Sequence, residues 1–131
     1  MGHIEPTDEQ LAALAGLPAD EPLVMLNLLR FRTECAGDSV GAGMTGEDAY
    51  RRYGDGVGAL EPPFAGEAQQ IASGKTTVIG PHDERWDLML LVRYASPQAF
   101  IDAVTRPDYR EIAVWRTAAL DDSRLIAFGA S

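Results

Sequence analysis

A chain of 131 residues with 46% hydrophobic content is long enough for one domain with an ordinary core and too short for two. Its net charge of −9, with no Lys or Arg run to override it, would repel a phosphate backbone or an anionic lipid surface, so neither nucleic acid nor membrane is an expected partner. The lone Cys35 and the separated His3 and His82 exclude an internal disulfide and make a poor metal centre, so any chemistry is expected to need no metal and no cofactor.

The N-terminal MGHIEPTDEQ lacks the basic and apolar parts of a signal peptide, and the longest apolar run, LMLLV, falls far short of the ~18 residues of a membrane span. A cytoplasmic location is expected. Thr7 is placed to cap a short helix over DEQLAALAGL, which Gly16 and Pro18 end, making residues 1–20 a helical extension of a single domain spanning 1–131. PLVMLNLLRFR is a branched apolar run that suits a first strand over 23–32. Residues 33–46 read as loop. Thr45 then caps GEDAYRRYGDGVGAL, with Glu47 and Asp48 at the positive helix end. Gly54, Gly56 and Gly58 each cost about 1 kcal/mol relative to Ala in a helix, and Pro62 and Pro63 follow, so this helix is expected to be short or irregular.

A second strand fits AQQIASGKTTVIG, with Gly74 as a bulge or bend and GPHDE as the turn beyond it; Cys35 and His82 read as ordinary loop and turn residues. The third strand covers about 86–94. Ser96-Pro97 and then Pro107 start two helical segments, and DSRLIAFG is the last strand. A leading helix followed by two β-α-β units predicts an α+β fold: the ferredoxin-like split βαβ, a four-stranded antiparallel sheet in order 4-1-3-2 with helices on one face. The other face is left uncovered, which predicts a homodimer that closes over it.

Strand alternation sorts the candidate residues. Val24, Leu26 and Leu28 with Trp86, Leu88, Leu90, Val92 and Tyr94 form two apolar sets, expected under the helices. Met25, Asn27, Leu29 and Phe31 with Asp87, Met89, Leu91 and Arg93 form two mixed sets, expected to share the open face. Asp87 and Arg93 would then edge a half-buried chamber into which Asn27 and Met89 project, unless the two charged groups simply bond across a dimer. Tyr50 reads as packing, whereas Tyr53 could equally offer its hydroxyl to a ligand; Trp86 and Trp115 are aromatic anchors for core, interface or pocket. Arg116 could bind a carboxylate, enolate or phenolate through its fork of donors; the competing expectation is a structural ion pair with Asp121, Asp122 or Asp87. No G-x-S-x-G, P-loop, dinucleotide or zinc signature occurs.

The ordered blocks IEPTDEQLAAL, LVMLNLLRFR, AYRRYGDGV, TVIGPHDERWDLMLLVRY, QAFIDAVTRPDY and WRTAALDDSRLIA resemble the family called domain of unknown function 1330 over nearly the whole chain. That family resembles the dimeric α+β barrels, in which two ferredoxin-like sheets pack face to face and enclose ligand pockets. The chain departs from the family pattern where two histidines are expected and Val114 and Trp115 stand, and where a Gly-Gly is expected and GVGALEPPFAGEAQ stands. Trp115 could line a more apolar pocket there. The resemblance implies a cofactor-independent enzyme of isomerase, cyclase, lyase or monooxygenase type acting on a small apolar oxygenated compound. In that reading Asp87 takes a proton while Asn27, Arg116 and Tyr53 stabilise an enolate oxygen, and Arg93, Met89, Trp86 and Trp115 contact the ligand. The alternative is a non-catalytic small-molecule-binding or structural dimer.

Overall fold

A computed structural model describes residues 2–130. The elements follow in the order α1 (Asp8–Ala15), β1 (Leu23–Phe31), α2 (Gly46–Gly58), β2 (Glu67–Ser73), β3 (Leu88–Tyr94), α3 (Pro97–Thr105), α4 (Pro107–Ala119) and β4 (Leu120–Gly129). The sheet runs β2-β3-β1-β4 with every neighbouring pair antiparallel, which is the expected order read from its other edge.

Local chemistry sets the helix starts. Thr7 and Gln10 form a reciprocal capping box: the Gln10 N–H donates to Thr7 Oγ1 at 3.1 Å and the Thr7 N–H to Gln10 Oε1 at 3.0 Å. Thr45 caps α2 through the Asp48 N–H, and Ser96 caps α3 through the Ala99 N–H. Helix α2 is longer than expected, an unbroken 13 residues through all three glycines. Tertiary packing overrides the weak propensity: a Cβ on Gly56 would lie 2.8 Å from Ile112 Cγ2, so this glycine lets α2 sit tightly on α4. Strand β2 is shorter than expected and stops at Ser73. There Gly74 passes so close to the Trp86 carbonyl that a side chain could not fit, and its N–H donates to the Asp87 carbonyl at 2.9 Å. Residues 75–87 leave the sheet as a loop, with Val78 and Ile79 almost fully exposed.

Two clusters form the core. Leu29, Cys35, Ala49, Ala118, Ala119 and Leu120 join β1 to α2 and α4, and Leu23, Met25, Tyr94, Phe100 and Ala103 join β1 and β3 to α3. These contacts decide the faces: the expected assignment holds for β3 and is overturned for β1. Leu23 pairs with Tyr94, Met25 with Val92, Asn27 with Leu90 and Leu29 with Leu88, so an odd residue of β1 always sits beside an even residue of β3. The helices cover the odd side of β1 and the even side of β3. The open face carries Val24, Leu26 and Leu28 beside Arg93, Leu91 and Met89, and continues into Ile126 and Phe128 of β4. No helix among the described residues is long and apolar enough to cross a membrane.

Candidate functional site

Between the sheet and its helices lies a cavity of about 1970 Å³, open to solvent on one side. Its floor is the covered sheet face, with Met25, Asn27, Leu88, Leu90, Val92 and Tyr94; its walls come from α2, α4 and α1. Helix α1 contributes Leu11 and Leu14 but buries no residue of its own. The segment before it is tied to β4: the His3 N–H donates to Asp122 Oδ1 at 2.9 Å, and Ser123 Oγ donates to the His3 carbonyl.

The polar groups converge on one end. Tyr50 and Tyr53, at i and i+3 on α2, stand with ring centroids 5.2 Å apart, and the Tyr53 hydroxyl lies 2.9 Å from that of Tyr109 in the first turn of α4. Phe64 stacks on Tyr109 at 5.3 Å and meets Tyr94 edge-on, while Tyr94 meets Phe100 edge-on. Burial pushes the Tyr50 phenol up to about 12, with the nearby Arg116 opposing the shift. Burial also raises Tyr53, further aided by Tyr109, and raises Tyr94, in both cases against Arg116. All three phenols are therefore neutral at ordinary pH and act as hydrogen-bond donors rather than bases.

Arg116, in the last turn of α4, points into this cluster. Its Nη1 donates to the Ile4 carbonyl at 2.8 Å, and no carboxylate among the described residues pairs with it. The expected ion pairs do not form because their acids are taken: Asp121 by Arg30, Asp122 by Arg30 and Arg124, and Asp87 by Arg85. Asn27 lines the same cavity. Its Nδ2 makes one long bond of 3.4 Å to the Met25 carbonyl, and its Oδ1 receives no donor among the described residues.

The remaining predicted site residues lie elsewhere. Asp87 precedes β3 and does not line the cavity that Asn27 lines, correcting the shared chamber. Its Oδ2 accepts from the Phe31 N–H at 2.8 Å and its N–H donates to the Leu29 carbonyl at 2.7 Å, so it holds the ends of β1 and β3 together. Met89 and Arg93 sit on the open face, away from the cavity. Trp86 packs beneath the Arg124 guanidinium, 5.2 Å from the ring centroid. Trp115 does not wall the pocket: it turns one helical step from Arg116, packs on the Leu29 cluster and lies under Arg52 at 5.2 Å. Tyr94, Tyr109 and Phe64 were not among the predicted residues. The usable signals were strand alternation, which set Tyr94 under the helices, and the position of Tyr109, two residues after the helix-starting Pro107 and so in its first turn. Among the described residues no group of three His, Cys, Asp or Glu side chains is placed to hold a metal ion.

The sheet order, with its helices on one face, defines a ferredoxin-like α+β protein. The crystal structure of RPA0582, a protein of unknown function from Rhodopseudomonas palustris, is 35% identical over 100% of this chain and 98% of that one, with a TM-score of 0.90. The chain belongs to the same family as RPA0582. More distant structures share the fold alone. A dimeric ferredoxin-like protein of unknown function from Bacteroides fragilis is 10% identical over 86% of this chain and 100% of that one, at a TM-score of 0.53. A hydroxynitrile lyase from Passiflora edulis is 12% identical over 86% and 95%, at 0.53. No protein-family profile and no curated protein matches the chain.

Proposed function

We propose that this protein binds a small, largely apolar, ring-bearing molecule through an anionic oxygen, in the cavity between sheet and helices of each subunit. One observation carries this reading: Arg116 is a half-buried guanidinium without a carboxylate partner among the described residues, set near the phenols of Tyr50, Tyr53 and Tyr94 in a cavity whose floor is mostly apolar. A bound carboxylate, enolate or phenolate would supply the missing charge, and a bond between opposite charges would be stronger than the one to the uncharged Ile4 carbonyl.

Binding is better supported than proton abstraction. The imidazole and carboxylates that line the cavity, His3, Glu5 and Asp38, are exposed, and Asp87 is not among the lining residues. The lyase that shares the fold keeps an enzymatic role in view without assigning one. The apolar open face, with Ile126 43% and Phe128 51% exposed, supports a homodimer joined sheet to sheet as a dimeric α+β barrel. The six sequence blocks support a place within domain of unknown function 1330, and the acidic composition fits a cytoplasmic protein.

The test is a panel of ring-bearing monocarboxylates, read by thermal shift on the wild type and on Arg116→Gln. At least one compound should raise the wild-type midpoint, and the same compound should leave the variant unmoved. If no carboxylate shifts the wild type, or if the shift survives Arg116→Gln, the reading is wrong.

A further inference from the structure

The polar groups at the aromatic end of the cavity are unbalanced in kind. Tyr53 and Tyr109 share one hydrogen bond of 2.9 Å, and either oxygen can be its donor. Two phenols bring two protons, and this bond uses one. The second proton has no hydrogen-bond partner among the described residues, and the hydroxyls of Tyr50 and Tyr94, which make no hydrogen bond there, are reached by solvent. Arg116 adds guanidinium donors of which one is used, on the Ile4 carbonyl. Against these donors stand the lone pairs of the phenol oxygens themselves and, on the cavity floor, Asn27 Oδ1, which are fewer than the free protons.

In an empty, open cavity water satisfies the surplus. A ligand that fills the space displaces that water, and each donor then left without an acceptor costs about 1–3 kcal/mol. The ligand must therefore bring acceptors. Ring contacts also hold the phenol pair in place, since Phe64 stacks on Tyr109 and Tyr53 meets Tyr109 edge-on with ring centroids 6.2 Å apart.

We propose that the Tyr53–Tyr109 pair is a preorganised donor for a neutral oxygen of the ligand, so that the molecule bound is a ring-bearing carboxylate that also carries a carbonyl group. This rests on the anion-binding reading of Arg116 and adds a second point of recognition to it. A carbonyl accepts without bringing a proton of its own, whereas a hydroxyl would add a further donor to a site already rich in them. Either phenol can donate outward when the other donates inward, so both oxygens must be removed to abolish the contact.

The test compares para-acetylbenzoate with para-ethylbenzoate, which differ in the ketone oxygen alone, by calorimetric titration of the full chain. The wild type should bind the acetyl compound more tightly by about fivefold, the worth of one net hydrogen bond. The double variant Tyr53→Phe, Tyr109→Phe should bind both compounds alike. Equal wild-type affinities overturn the inference, and that comparison needs no variant to fold. A preference that persists in the folded double variant overturns it too. Failure of the underlying reading looks different: neither compound binds, which ends both proposals, or both bind equally to wild type and Arg116→Gln. In the second case a keto preference that the double variant loses would still uphold the role of the phenol pair.

Discussion

The glycines of α2 make a sharp test of how the wall bearing Tyr50 and Tyr53 is built. Replacing a helical glycine by alanine reduces the freedom of the unfolded chain and stabilises by about 0.5–1 kcal/mol where the methyl meets no obstruction. At Gly54 the new Cβ would find no heavy atom within 4 Å, so the full gain is expected. With an unfolding entropy of about 2 cal/mol/K per residue, that gain raises the midpoint of a chain this long by roughly 3 °C. At Gly56 the same methyl would lie 2.8 Å from Ile112 Cγ2 and 3.2 Å from Cγ1. Isoleucine is stiff at χ1, so α2 has to move off α4 at a cost of about 1–3 kcal/mol, and the net effect falls between neutral and about 2 kcal/mol destabilising. Urea and thermal unfolding of Gly54→Ala and Gly56→Ala, at one protein concentration, should therefore move in opposite directions or differ by at least ~1 kcal/mol. Equal stabilisation by both would refute the tight α2–α4 contact and, with it, the described placement of the tyrosines. Gly54 also lines the cavity, so Gly54→Leu should keep the helix and lower the affinity for any ligand found.

Three further outcomes are expected. Burial tends to raise the Asp122 carboxyl, but the His3 N–H, Arg124 and the Ser123 N–H outweigh it and hold the group at about 2. Its folded value is thus below its unfolded one, so its contribution, at most ~2 kcal/mol, is present above about pH 4 and is lost as pH falls toward 2; unfolding midpoints across that range should fall less steeply in Asp122→Asn. Tyr50, raised to about 12, and Tyr53 and Tyr94, raised by burial, have the opposite sign: their contribution is complete below about pH 10 and declines as pH rises above it, that of Tyr50 being lost through about 12. Tyrosine absorbance should show these three ionising only as circular dichroism is lost; ordinary titration near pH 10 in an intact fold would contradict their burial. On the open face, Leu26→Lys should convert a dimer to a monomer in sedimentation, and a wild type that is already monomeric at micromolar concentration would count against the sheet-to-sheet dimer.

Element types and strand order were legible because the caps, prolines and apolar runs are strong local signals: Thr7, Thr45, Ser96 and Pro107 each start a helix where expected. The faces were not. Alternation within one strand says which residues share a side of that strand, but joining two strands needs the register, and a shift of one residue exchanges the partners' faces. Matching the two apolar sets suggested even with even; the hydrogen-bonded register sets Leu23 beside Tyr94 and so odd with even. Asn27 could lie under the helices because a cavity, rather than packed side chains, stands over it. The extent of α2 was hidden for a related reason: helix propensity cannot register that Gly56 faces Ile112, 56 positions further along the chain. Nor does local pattern disclose that residues as far apart as Tyr53 and Tyr109 meet.

Charge pairing gives the two sides of the sheet their separate meanings. Acidic residues outnumber basic ones by 20 to 11, so a half-buried arginine has acids to choose from. Arg30 pairs with Asp121 and Asp122, Arg106 with Asp108 and Arg124 with Asp122, and burying them is tolerable for that reason. Arg93 and Arg116 are also half-buried, yet neither has a carboxylate within ion-pair distance among the described residues. They lie on opposite faces. Arg93 stands on the apolar open face beside Val24 and across from Glu67, where a second subunit would approach, and Arg116 stands in the cavity among the phenols. A partly desolvated cation without a counter-charge is costly to keep, and each of these two is placed where something outside the chain can supply one. On the proposed reading, the open face takes its complement from another copy of the protein and the cavity takes its complement from a ligand anion. Dimer formation and ligand binding should then respond to different substitutions, Leu26→Lys for the first and Arg116→Gln for the second, with little cross-effect between faces that the sheet itself keeps apart.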